Sequence, residues 1–230
     1  SFPFALVFSA ALVSKFMLGV TALLSIRYIA DPTQYALFTL AISAITLTSQ
    51  VLASSFNTIF VVAAGNLGLA DGPARFLAFQ LLAVLVLGAL ALPLAPAVGW
   101  VYPLGVALAL GYCLSEFSKS QSQHALDFRR FSRIELTRSA LFLAGQVALI
   151  FAASFRLLAW EVLAVQTVSL WVVFGLFMRS RVQARHVVDI RAGWEVAKTV
   201  LGSPYRLLFA QSAVVAVLMQ TDVWMLKALG

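Results

Sequence analysis

FLAFQLLAVLVLGALALPLAPAVGWVYPLGVALALGYCLS, residues 76–115, carries no formal charge from end to end. As a single helix it would be about 60 Å long at about 1.5 Å per residue, twice the thickness of a bilayer's hydrocarbon core, so it has to fold back on itself. Pro93, Pro96, Gly99 and Pro103 mark the turn. Trp100 and Tyr102 beside them suit the headgroup level, where amphipathic rings collect. The stretch therefore reads as a hairpin of two membrane-crossing helices, the third and fourth of the chain.

Working outward, Phe4–Tyr28 is apolar apart from Lys15 and Arg27, and Asp31-Pro32 ends it, because proline disfavours helix at the residue before it. Tyr35–Ala64 carries no formal charge, with Gln50 and Asn57 among its polar residues, and Gly65–Gly72 breaks it. On the other side lie Leu136–Phe155 and Val162–Met178, separated by a short link containing Arg156 and Glu161. Ser203-Pro204 reads as a cap followed by proline at the first helical position, and apolar sequence runs on to about Leu226. The expected fold class is all-α: a polytopic membrane helix bundle of about seven transmembrane helices.

The composition agrees. Hydrophobic residues make up 62% of the 230 and charged residues 11%, against roughly half and about a quarter in a soluble domain. The opening run is too long for a signal-peptide core and is expected to stay as the first helix. A chain that starts at Ser1 without methionine and stops just beyond an apolar run is expected to be an N-terminal piece of something longer. Three parts are expected: a six-helix lobe over 1–178, a basic amphipathic linker over 179–199, and a seventh helix over 200–230 that starts a second lobe.

A net charge of +7 invites a nucleic-acid reading, but basic residues beside apolar runs mark the cytoplasmic side of a membrane, and no nucleic-acid partner is expected. Connections 2–3, 4–5 and 6–7 hold Arg75, then Lys119, Arg129, Arg130, Arg133 and Arg138, then Arg179, Arg181, Arg185, Arg191 and Lys198. The alternate connections hold only Arg27 and Arg156. This alternation places the N-terminus in the cytoplasm. Between helices six and seven, Val187, Ile190, Trp194 and Ala197 recur at helical spacing, as expected of an interfacial amphipathic helix.

Three stretches together resemble the polysaccharide and oligosaccharide flippases of the multidrug/oligosaccharidyl-lipid/polysaccharide exporter superfamily, the O-antigen flippases among them. Arg27-Tyr28-Ile29-Ala30-Asp31-Pro32-Thr33-Gln34-Tyr35-Ala36-Leu37-Phe38 is similar to the family's junction before helix two, with Asp31 and Ala36 where glycine is usual. Leu201-Gly202-Ser203-Pro204 looks like the glycine-x-proline approach to its seventh helix, and Gln220-Thr221-Asp222-Val223-Trp224-Met225-Leu226 like the aspartate-containing end of that helix. Lys15 also fits the family's habit of placing a lysine in helix one.

The resemblance implies a transporter of two six-helix lobes in a bacterial inner membrane. Such a transporter moves an undecaprenyl-pyrophosphate-linked sugar unit from the cytoplasmic to the outer leaflet for cell-surface polysaccharide, including lipopolysaccharide, synthesis. Its partners would be the bilayer, the lipid-linked oligosaccharide and the polysaccharide polymerase machinery. It makes and breaks no covalent bond, so no enzyme activity and no cofactor are expected. Two rivals remain: a multidrug exporter of the same superfamily, which predicts acidic cavity residues, and a polytopic glycosyltransferase or polymerase using the same lipid carrier, which needs a large outer loop or acidic catalytic groups.

The candidate substrate-binding and translocation residues are Lys15, Arg27, Asn57 and Asp222. An ionisable group inside the membrane costs at least about 2.5 kcal/mol, so one that persists faces a cavity or a partner. Lys15, near the middle of helix one, either attracts the substrate's pyrophosphate or snorkels and pairs structurally. Arg27 reads first as a headgroup anchor. Asp222 pairs with Lys15 or Arg27, couples a cation, or lies at the outer surface beside Lys227. Asn57 and Gln50 either meet sugar hydroxyls or, the preferred reading, glue helices together. Glu116 and Lys119 are expected to pair on the helix surface. Cys113 reads as a packing residue, and His124 and His186 have no second histidine at ligand spacing, so no metal is expected.

Overall fold

The computed structural model describes residues 2–29, 31–63, 73–177 and 190–229. Within them the chain is all-α. Helix α1 (Phe2–Tyr28) is followed by α2 (Pro32–Ser49), which continues through a π-helical turn at Gln50–Ser54 into α3 (Ser55–Ala63). Then come α4 (Pro73–Ala91), a 3-10 turn at Leu92–Leu94, the short α5 (Ala95–Val98), and α6 (Val101–His124). The order closes with α7 (Phe128–Ala152), α8 (Ala159–Phe177), α9 (Ile190–Gly202) and α10 (Arg206–Leu229). Among the described residues six segments are long and apolar enough to cross a membrane: Val7–Tyr28, Pro32–Val61, Arg75–Val98, Val101–His124, Phe128–Ala152 and Ala159–Phe177. α10 lies where the seventh span is expected, but it begins at Arg206, after Pro204, and its apolar part among the described residues, Arg206–Val215, is shorter than a span.

The distribution of side chains is that of a polytopic membrane protein. Phe16, Leu90 and Leu207 are more than 70% exposed, while Ser14, Ser25, Asn57, Gln80, Glu135, Arg138 and Gln146 are buried. A water-soluble fold arranges these classes the other way round. In lipid, helix contacts gain little from excluding apolar surface and depend on close packing and interhelical hydrogen bonds.

Helix α6 is central and touches α2, α3, α4, α7 and α8, while α1 lies along α7. Ser14 Oγ donates to Glu135 Oε1 (3.2 Å) and Gln146 Nε2 donates to Ser25 Oγ (2.9 Å), and both pairs are separated by 121 residues. Equal offsets mean that α1 and α7 run parallel. The connections accordingly sort to two ends. At one, Leu157 N donates to the Tyr28 carbonyl (2.9 Å), Ala159 N to Gln34 Oε1 (3.2 Å), and the rings of Tyr28 and Phe155 meet at 5.8 Å. At the other, Phe60 stacks on His124 at 5.2 Å and Arg130 donates to the Phe177 carbonyl. Arg27 and Arg156 belong to the first end, Arg129, Arg130 and Arg133 to the second.

Local chemistry fixes the turns. Asp31 does more than end α1: its carboxylate accepts from Thr33 N (3.0 Å), with Pro32 at the first helical position, so it caps α2. The Pro93–Pro103 turn lies where the sequence places it, and Gly99 takes φ +56° there. Tyr102 Oη then donates to the Gly88 carbonyl (2.7 Å), tying the two arms of the hairpin.

The structure alters several boundaries. α6 runs on to His124 and α7 begins at Phe128, so the expected 4–5 connection shrinks to a tight turn, with Leu126 at φ 54° and Asp127 capping α7 through Arg130 N (3.0 Å). Lys119, Arg129, Arg130, Arg133 and Arg138 are therefore helical residues. α9 is a helix as expected, but its buried face is Gly193, Val196, Ala197 and Val200, with Trp194 56% exposed. The reason is a close approach: a Cβ on Gly193 would meet Phe79 N at 3.0 Å, so this face is pressed on α4. Val187, Arg179, Arg181, Arg185 and His186 lie outside the described residues.

Candidate functional site

Four ionisable side chains meet inside the bundle. Glu116 and Lys119 lie on consecutive turns of α6, and Glu135 and Arg138 on consecutive turns of α7; each spacing puts its pair on one helix face. Lys119 Nζ lies 2.6 Å from Glu116 Oε1 and 3.1 Å from Glu135 Oε2. Arg138 Nη2 lies 2.6 Å from Glu135 Oε1, and its Nη1 lies 3.4 Å from Glu116 Oε1. Each cation thus bridges both carboxylates, and the group carries no net charge. The side chains of Arg138, Glu135 and Lys119 are 7%, 9% and 13% exposed, and that of Glu116 is 27% exposed.

The network lies toward the end of the bundle that holds the α6–α7 turn: Lys119 precedes the end of α6 at His124, and Glu135 follows the start of α7 at Phe128, each by roughly 10 Å at about 1.5 Å per residue. Charges withdrawn this far from bulk water are stable only when paired and hydrogen-bonded. Glu116 and Lys119 do pair as expected, but within the bundle and not on its surface.

A pocket of about 290 Å³ opens beside the network, walled by Asn57, Glu116, Lys119, Ser120, Gln123 and Phe131 among others. Asn57 is 2% exposed and its Oδ1 accepts from Gln80 Nε2 (2.8 Å), which joins α3 to α4 as the glue reading requires. Its Nδ2 has no hydrogen-bond partner among the described residues. The π-helical turn that leads into α3 also leaves Gln50 Oε1 buried without a partner among the described residues.

The other sequence candidates do not join this group. Lys15 is exposed on α1, about 100° around the helix from the buried Ser14, and makes no hydrogen bond or ion pair among the described residues. Gly19 follows it one turn later on the same face, with open space where a Cβ would be. Arg27 is exposed at the end of α1, where an anchor is expected. Asp222 falls in α10, outside the residues whose side chains the structure describes. Glu135 was not singled out by the sequence reasoning. Its signal lies in the spacing: two opposite-charge pairs, each three residues apart, flank the Leu126 turn at similar distances along the chain.

No family model, curated protein or solved structure matches the chain. The likeness to the flippase family therefore stands on the three short stretches and Lys15 alone.

Proposed function

We propose that the chain is part of a transporter that moves a lipid-linked, pyrophosphate-bearing oligosaccharide from the cytoplasmic to the outer leaflet of a bacterial inner membrane. The observation that carries this reading is Lys15. Among the described residues it is an unpaired cation, and at the midpoint of a 27-residue apolar helix it lies farther from either end than a lysine stem reaches by snorkelling. Left against lipid it would cost at least about 2.5 kcal/mol. A water-filled cavity offering an anionic group removes that cost, and a pyrophosphate is the strongly anionic part of such a substrate. The small Gly19 beside Lys15 leaves room for a ligand to approach the helix.

The multidrug-exporter alternative needs uncompensated acidic groups facing the substrate. Glu116 and Glu135 are within the bundle, but both are neutralised by Lys119 and Arg138, which favours the anionic substrate. The orientation that goes with this reading puts the Arg129–Arg133 end in the cytoplasm, by the excess of basic residues there.

The test is a leaflet assay on the natural protein reconstituted in vesicles with an undecaprenyl-pyrophosphate-linked sugar. Lys15→Ala is expected to slow lipid movement at least roughly tenfold, the worth of one charge-assisted contact, and Lys15→Arg to retain most of it. Wild-type movement by Lys15→Ala removes the proposal.

A further inference from the structure

From the pocket between α3, α6 and α7 we infer a binding site for one neutral sugar ring, a subsite for the glycan end of the substrate. The inference rests on the transport reading above and gives it a second contact, on a different face of the bundle from Lys15.

The argument starts with charge. The two cations and two carboxylates beside the pocket cancel, so the network adds no net charge to its wall. It offers donors and acceptors side by side instead. Both ion pairs of Glu116 run to Oε1, which leaves Oε2 of this partly exposed carboxylate as an acceptor. Asn57 Nδ2 is a buried donor with no partner among the described residues. Lys119 has three N–H groups and two ion-pair partners, so one donor remains. Gln123 adds an exposed amide at the rim.

A sugar hydroxyl both donates and accepts, so adjacent hydroxyls match such a surface where a simple ion or an apolar molecule does not. Leaving a buried amide N–H unpaired costs about as much as a lost hydrogen bond, and a ligand hydroxyl would recover that. Phe131 supplies an apolar wall for the C–H face of a ring. The volume, about 290 Å³, is at the lower edge of the range that holds small organic ligands, which suits one ring and not a chain.

The experiment is saturation-transfer NMR on the natural protein in detergent, with free glucose, galactose and N-acetylglucosamine as probes and inorganic pyrophosphate as competitor. At least one sugar is expected to receive transfer on its ring protons with affinity in the millimolar range, unaffected by pyrophosphate. Gln123→Ala and Phe131→Ala, both at accessible positions, are expected to weaken it roughly tenfold each, while Arg156→Ala at the opposite end leaves it unchanged. Transfer from none of the sugars, transfer equal in the wild type and both pocket variants, or displacement by pyrophosphate would each overturn the inference. Absent sugar binding together with normal lipid movement in the leaflet assay removes the pocket alone. Pocket-dependent sugar binding by a protein that moves no lipid-linked substrate keeps the pocket and removes the transport reading.

Discussion

Ser14 on α1 donates to Glu135 on α7 across 3.2 Å although 121 residues separate them. The contact joins the first helix of the chain to a buried four-membered ion network, at the level of the midpoint of α1. Two consequences follow for the architecture: α1 is held in register with α7, and Lys15, about 100° further round the helix, is left exposed outside the network. One side of α1 is therefore structural and the other is open.

The network should behave as a unit. Arg138→Met alone leaves the charge of the group at minus one inside the bundle and is expected to destabilise by about 3–5 kcal/mol, the range for breaking one partner out of a buried pair. Glu135→Leu combined with Arg138→Met leaves Glu116 and Lys119 paired at 2.6 Å and is expected to recover at least half of that loss. Reversible unfolding in mixed micelles measures both. A double variant as damaged as the single one would show that charge balance is not what holds α6 to α7.

Close packing at glycine gives a second contrast. A Cβ on Gly145 of α7 would meet Val165 Cγ1 at 2.6 Å, whereas one on Gly175 of α8 would meet nothing within 4 Å. Gly145→Ala is expected to cost about 1–3 kcal/mol as α7 and α8 are forced apart. Gly175→Ala should be neutral or slightly stabilising, since alanine is the better helix former. The same unfolding measurement separates them, and equal effects would contradict the packing.

The fold was largely legible because bilayer physics acts on long runs. The uncharged stretch 76–115 has to turn near Pro93–Pro103, and the hairpin turns there. The parts that escaped the sequence are those set by contacts between runs. The ion network extends α6 and α7 through a stretch whose charges read as a loop, because Glu116, Lys119, Glu135 and Arg138 neutralise one another only once the two helices are side by side. The buried face of α9 differs from the apolar stripe because Gly193, which a hydrophobic pattern ignores, gives the closest approach to α4. The π turn at Gln50–Ser54 has no marker in composition at all.

The polar bridge between α1 and α7 near the opposite end is a further test of how much such contacts contribute. Gln146 Nε2 donates to Ser25 Oγ at 2.9 Å, and Ser25 Oγ donates in turn to the Thr21 carbonyl at 3.0 Å. A double-mutant cycle with Ser25→Ala and Gln146→Leu is expected to show a coupling of about 0.6 kcal/mol and no more than about 1.7 kcal/mol, the range for hydrogen bonds between membrane helices. A coupling indistinguishable from zero would mean that packing alone holds this end.

The two ends of the bundle should be reachable from opposite sides of the membrane. Cys113 is fully buried, so Cys113→Ser gives a background in which a new thiol reports only its own exposure. In that background Arg129→Cys, at the end crowded with arginine, is expected to react with an impermeant maleimide only after the cells are opened. Arg156→Cys, in the link beside Tyr28, is expected to react in intact cells. The geometry requires the two positions to differ, because the Tyr28–Leu157 contact and the His124–Phe60 contact lie at opposite ends of parallel and antiparallel helices. Under the proposed orientation, the excess of basic residues places the Arg129 end inside. Labelling of both from one side would contradict the six-span arrangement. Labelling with the sides exchanged would leave that arrangement intact and reverse the direction in which the proposed substrate enters.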